Sequence, residues 1–136
     1  MRRPVWPWVL VAAWCLLIFV LSSVPGRNLP EMPAQNADKV VHGLVYGVLG
    51  ALFQWAVRRT WRVSGPAGAA LAVVLATAYG VSDELHQLLT PGRSADVYDV
   101  FADAVGAGIG VLAMSILLAR RSRTGAPAPR PDGNRR

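Results

Sequence analysis

"VYDVFADAVGAGIGVLAMSILLA", residues 97–119, decides the fold class of this chain. It is an apolar run of membrane-spanning length, interrupted only by Asp99 and Asp103 near its start. A helix crossing a bilayer needs about 20 mostly apolar residues, with a range of about 17–25. Working back along the chain, similar blocks occupy 6–24, 40–57 and 66–81, the last extended by Ser82 and Asp83. The composition agrees, with 53% hydrophobic and 16% charged residues in 136, against roughly 25% charged in ordinary soluble domains. The expectation is an all-α membrane protein, a bundle of four transmembrane helices over 6–24, 39–57, 66–83 and 97–119, forming one domain across 6–119.

The formal charge of +6 does not point to nucleic acid, because the cations fall at loop positions. Most lie at Arg2 and Arg3, in "RRTWR" (58–62), and in "RRSR" (120–123) and the tail beyond it, while the other two connections hold only Arg27 with Lys39, and Arg93. Lys and Arg accumulate in cytoplasmic loops, so residues 1–5, the 58–62 loop and the tail 120–136 are expected inside, with both termini cytoplasmic. Four crossings with both ends inside are mutually consistent. The expected location is the bacterial cytoplasmic membrane. The first block is longer than a signal-peptide core, and "LSSVPG" is a poor cleavage site, so it reads as a retained span. The tail "TGAPAPRPDGNRR" has almost nothing to bury and reads as disordered. The lone Cys15 excludes an internal disulfide. Trp6, Trp8, Trp55 and Trp61 read as an interfacial aromatic belt and Trp14 as packing.

On this topology the segments 22–39 and 82–96 share the extracytoplasmic side, and "YGVSDELHQLLTPGRSADVYDVFADAVGAGIG" (79–110) brings most of the acids there. Residues three and four apart share a helix face. Asp38, His42 and Tyr46 form one stripe. Tyr79, Asp83, His86 and Gln87 form a second, and Asp96, Asp99 and Asp103 a third. Small residues continue these faces: Gly43 and Gly47, then Ala72, Ala76 and Gly80, then Gly106 and Gly110. Small-xxx-small faces let membrane helices approach closely. The three polar stripes are therefore expected to close into a pocket at the outer mouth, with the four glycines 43, 47, 106 and 110 as packing points. Glu31, Lys39 and Glu84 lie off the main stripes, and a purely interfacial role competes for them. Asp103 and His42 lie inside the spans, where an ionisable group marks a functional site. The "TPGR" turn is expected to fold Arg93 back over the helix ends to pair with Asp99.

The motifs "LSSVPG", "DKVVHGLVYGVLG" and "SDELHQLLTPGRSADVYDVFADAVGAGIG", in this order, resemble the VanZ family of small bacterial membrane proteins associated with teicoplanin tolerance. The resemblance spans roughly residues 10–118. It implies family positions at Asp38, Lys39 and His42, at Asp83, Glu84 and Gln87, and at Arg93, Asp99, Gly106 and Gly110. The family commonly carries asparagine where this chain has Asp103. The resemblance implies a phenotype and a location rather than a reaction.

Two functions compete on these residues. One is a binding protein of the cell envelope, in which the pocket takes a lipid headgroup or lipid-linked precursor and Arg93 grips phosphate or carboxylate. The other is an integral-membrane hydrolase or transferase using acid/base groups or a metal, with His42, His86 and Asp83 as candidate ligands. No ligand signature such as HExxH supports the second, and the sequence names no cofactor. Ion coupling ranks lowest, since no polar path continues past the outer half. A homo-oligomer remains open as a further partner.

Overall fold

The computed structural model describes residues 4–28 and 37–124, which form helices and short turns with no strand among them. Arg2, Arg3, Glu31 and the tail from residue 125 lie outside the described residues. α1 covers Trp6–Ser22, α2 Ala37–Ala56, α3 Gly65–Gln87 and α4 Val97–Thr124. α2 continues through a π-helical turn, Val57–Trp61, before Arg62 takes a left-handed conformation (φ 59°) and reverses the chain. α2 with its turn, α3 and α4 are each long and apolar enough to cross a membrane, while α1 is a shorter apolar helix of 17 residues. The expected 6–24 block thus ends early. Ser23 turns its hydroxyl onto the Phe19 carbonyl (2.7 Å), and Pro25 cannot continue the helix.

The burial pattern is that of a body whose surroundings are hydrocarbon. Leu16, Leu44 and Ile109 in mid-helix are 62%, 68% and 65% exposed, while Asp103 is fully enclosed. Large contiguous apolar surfaces are rare on water-soluble monomers. Here every helix contributes to them.

α2 and α4 run parallel and make the most extensive contact in the molecule. The glycines explain why. A Cβ on Gly106 would stand 2.7 Å from both the carbonyl carbon and Cα of Gly43, and one on Gly110 would stand 2.7 Å from the carbonyl carbon of Gly47. The backbones touch, and only glycine fits on the α4 side. The four expected glycines are not equivalent. Gly47 is tight, since a Cβ there would stand 3.3 Å from the Gly106 carbonyl oxygen, whereas a methyl on Gly43 would make ordinary contact at 3.6 Å with that of Ala102. Gly43 is therefore not a position that demands glycine. Gly50, not anticipated, is one, because its Cβ would meet the Ala107 backbone at 2.5 Å.

α1 is fastened to α2, to the turn that follows it and to α3 by polar contacts at separate depths. Trp8 Nε1 donates to Thr60 Oγ1 (2.9 Å), Trp14 Nε1 to the Val45 carbonyl (3.1 Å), and Tyr79 Oη to the Cys15 carbonyl (2.6 Å). Trp14 therefore does more than fill space. Hydrophobic burial cannot drive association between helices in lipid, so such hydrogen bonds and close packing must supply it. Trp6 packs on Trp55 and Trp8 on Trp61, so all four belt tryptophans gather at the end where α2 finishes.

Candidate functional site

At the opposite end, the start of α2, the end of α3 and the start of α4 converge. Lys39, placed by sequence periodicity off the main stripe, is the centre of the ionic contacts. Its Nζ lies 2.7 Å from Asp96 Oδ2, 2.8 Å from Asp99 Oδ1 and 3.4 Å from Asp38 Oδ2. One ammonium thus ties the first turn of α2 to that of α4. Asp96 precedes α4, outside the spans. The Lys39 ammonium, with help from the Tyr98 backbone N–H, holds its carboxyl below the usual aspartate range.

One turn deeper, His42 Nδ1 lies 3.0 Å from Asp103 Oδ1. Against an ionised Asp103, which only accepts, Nδ1 is the proton-bearing donor. The second oxygen of Asp103 is buried and has no partner. It sits against Gly80, where a Cβ would come within 2.6 Å of it. The glycine on α3 is what makes room for the aspartate on α4.

For Glu84 the sequence leaves a pocket position and an interfacial one in competition. It is buried, and its Oε2 accepts the backbone N–H of Asp96 (2.8 Å), capping the approach to α4. Gln87, also buried, donates to Asp83 Oδ2 (3.2 Å) and to Glu84 Oε1 (3.3 Å). The Tyr46 hydroxyl is enclosed near Asp83 and Asp103 but outside hydrogen-bonding geometry.

Two expected members stand elsewhere. His86 faces α1, with its Nε2 3.0 Å from Ser23 Oγ and its ring 4.5 Å from that of Phe19. The shared face with Asp83 read from spacing is too coarse here, because on a helix of 3.6 residues per turn the third residue along lies about 60° to one side of the first and the fourth about 40° to the other. The candidate metal set of His42, His86 and Asp83 is therefore not assembled. The donor atoms that do converge belong to His42, Glu84 and Asp99, all within 4.8 Å of one another.

Arg93 is the second correction. Among the described residues it forms no ion pair, and Lys39 holds Asp99 in its place. Arg93 is half-buried, and its Nε is enclosed without a partner among the described residues. Its turn is held from the other side. Gly92 adopts φ 75°, which favours glycine, and the Pro91 carbonyl accepts the N–H of Gly26 at 3.0 Å. The α1–α2 and α3–α4 connections, each carrying the tripeptide PGR, are thereby joined backbone to backbone. The repeat was legible in the sequence but was not read as a contact.

Two concavities of about 410 and 300 Å³ lie at the tryptophan end, around Arg58, Gln54, Pro66 and Leu118. Arginines line them but no acid and no histidine does, and neither reaches the acidic mouth.

No curated protein and no solved structure matches the chain. A family model does, described as VanZ/LLP1 and matched over residues 7–118. That span takes in the α2–α4 glycine seam, the Lys39 bridge and every member of the acidic mouth, and the chain belongs to the VanZ/LLP1 family.

Proposed function

We propose that this VanZ-family membrane protein binds a phosphate-bearing lipid headgroup, or a lipid-linked envelope precursor, at the mouth formed by α2, α3 and α4, and that this mouth faces outward from the bacterial cytoplasmic membrane. The observation that carries the reading is Arg93. The guanidinium is sunk half-way into a membrane protein, and its buried Nε–H has no acceptor among the described residues. An unmade hydrogen bond of a buried charged group costs about 1.5–3 kcal/mol, and phosphate matches the guanidinium fork. Lys39 keeps the acids occupied and leaves Arg93 for an external anion. The arginine-rich 58–62 loop at the other end supports the orientation. Glycopeptide tolerance would follow if the ligand is a cell-wall precursor.

The test is binding of a short-chain polyprenyl phosphate, against the corresponding alcohol, by the purified chain in nanodiscs. Wild type should bind the phosphate and not the alcohol. Arg93→Ala should weaken binding about ten- to a hundredfold, with Arg93→Lys rescuing only in part. Equal binding by wild type and Arg93→Ala would overturn the reading. The second reading, a hydrolase or transferase on the same substrates, draws on the His42–Asp103 pair, an imidazole positioned by a buried carboxylate. Release of inorganic phosphate from the same ligand would select it.

A further inference from the structure

We infer that His42, Glu84 and Asp99 form a divalent transition-metal site, with Asp103 orienting the histidine. Their donor atoms already lie within 4.8 Å of one another. Ligands about 2.1 Å from one ion stand roughly 3.4 Å apart, so side-chain rotations close the difference.

The histidine is set for this role. Asp103 takes the proton-bearing Nδ1, which leaves Nε2 with its lone pair as the ligand atom. A carboxylate behind a metal-binding histidine is the usual outer-shell arrangement, and it fixes the tautomer and raises the basicity of the ring. Glu84 is oriented in the same way by Gln87 and the Asp96 N–H. Lys39 occupies Oδ1 of Asp99 and leaves the second oxygen.

Charge provides an independent argument. Asp83, Glu84, Asp99 and Asp103 are all buried, and Asp38 and Asp96 flank them. Lys39 is the one ammonium paired with this group among the described residues. Buried charges are ordinarily paired or coordinated to metal. The second oxygen of Asp103, on a side chain with no exposure at all, meets no donor among the described residues, so Lys39 and the nearby N–H groups leave negative charge in the group uncompensated. One nitrogen and two carboxylates suit an ion such as Zn²⁺ or Mn²⁺ rather than Mg²⁺ or Ca²⁺. The ion would share the mouth with Arg93, but its binding does not depend on the headgroup reading.

The experiment uses Zn²⁺ and the full chain, purified on a histidine-free tag and stripped with chelator. After equilibrium dialysis, wild type and His86→Ala should each retain one zinc. His42→Ala and Glu84→Gln should release it, and Asp103→Asn should weaken affinity about 10- to 100-fold. His42 and His86 are the chain's two histidines, so in ¹⁵N-histidine-labelled His86→Ala every imidazole signal belongs to His42. Added zinc should move its Nε2 resonance while Nδ1 stays protonated. This readout needs no variant within the site. Failure of wild type to retain zinc, retention unchanged in His42→Ala and Glu84→Gln, or a static Nε2 signal with zinc bound would each overturn the proposal. No lipid is present, so the outcome is separable from that of the polyprenyl phosphate assay.

Discussion

Gly108→Ala and Gly110→Ala place the same methyl group on the same helix two residues apart, yet the structure assigns them opposite effects. At Gly108 nothing lies within 4 Å of the new Cβ. The substitution there gains helix propensity, about 0.8–1.0 kcal/mol in the folded state's favour. At Gly110 the Cβ would stand 2.7 Å from the Gly47 carbonyl carbon and 3.1 Å from its Cα. Ordinary carbon–carbon contact is about 3.5–4.0 Å, so α2 and α4 must part by about 1 Å. The obstacle is backbone and cannot rotate away. A gap of 0.5–1 Å forfeits about a quarter to a half of each dispersion contact it opens, and it opens them along the most extensive interface in the molecule. Overpacking of this kind costs about 1–3 kcal/mol, and the rigid obstacle puts this case at the upper end. The propensity gain is common to both variants and cancels in their difference. Gly110→Ala should therefore be less stable than Gly108→Ala by about 3 kcal/mol. The assay is equilibrium unfolding in mixed micelles by titration with a denaturing detergent, read by tryptophan fluorescence. A difference below about 1 kcal/mol would refute the claim that the α2 and α4 backbones touch at this point.

Further outcomes follow from single contacts. Gly80→Ala should displace the Asp103 side chain, whose Oδ2 would lie 2.6 Å from the new methyl, and weaken its bond to His42; a change in the His42 Nδ1–H resonance checks this. Lys39→Met leaves the buried Asp99 without its cation, so folded yield should fall more than in Arg93→Ala, whose side chain pairs with no described acid; membrane-fraction blots compare the two. Because Asp96 titrates below its ordinary range when folded, its contribution is present at neutral pH and is lost as pH falls through the depressed value. The Lys39–Asp96 contact should therefore survive to lower pH than an unpaired aspartate would stay ionised, as carboxyl-carbon NMR would show. Reporter fusions after Arg62 and Arg123 should read cytoplasmic and those after Gln35 and Ser94 external; an external signal at Arg62 would sink the orientation.

Much of the architecture was legible from one dimension. Apolar blocks of bilayer length dictate helices, since a lipid-exposed backbone has no other way to satisfy its hydrogen bonds within a single segment. The 3.6-residue period places Asp38, His42 and Tyr46 on one face and Gly106 and Gly110 on another, and these facts need no neighbour. What the period cannot specify is which face of one helix meets which face of the next, or at what height. Lys39 looks like a marginal interfacial residue until α4 is set parallel to α2, and then its ammonium stands between Asp96 and Asp99. Arg93 looks like the natural partner of Asp99 until that place is taken. His86 looks like a site residue until α1 is seen to occupy its side of α3. Each of these depends on the α2–α4 seam and the docking of α1. In lipid those are decided by close fit and specific hydrogen bonds rather than by hydrophobicity, and fit is a property of two surfaces brought together.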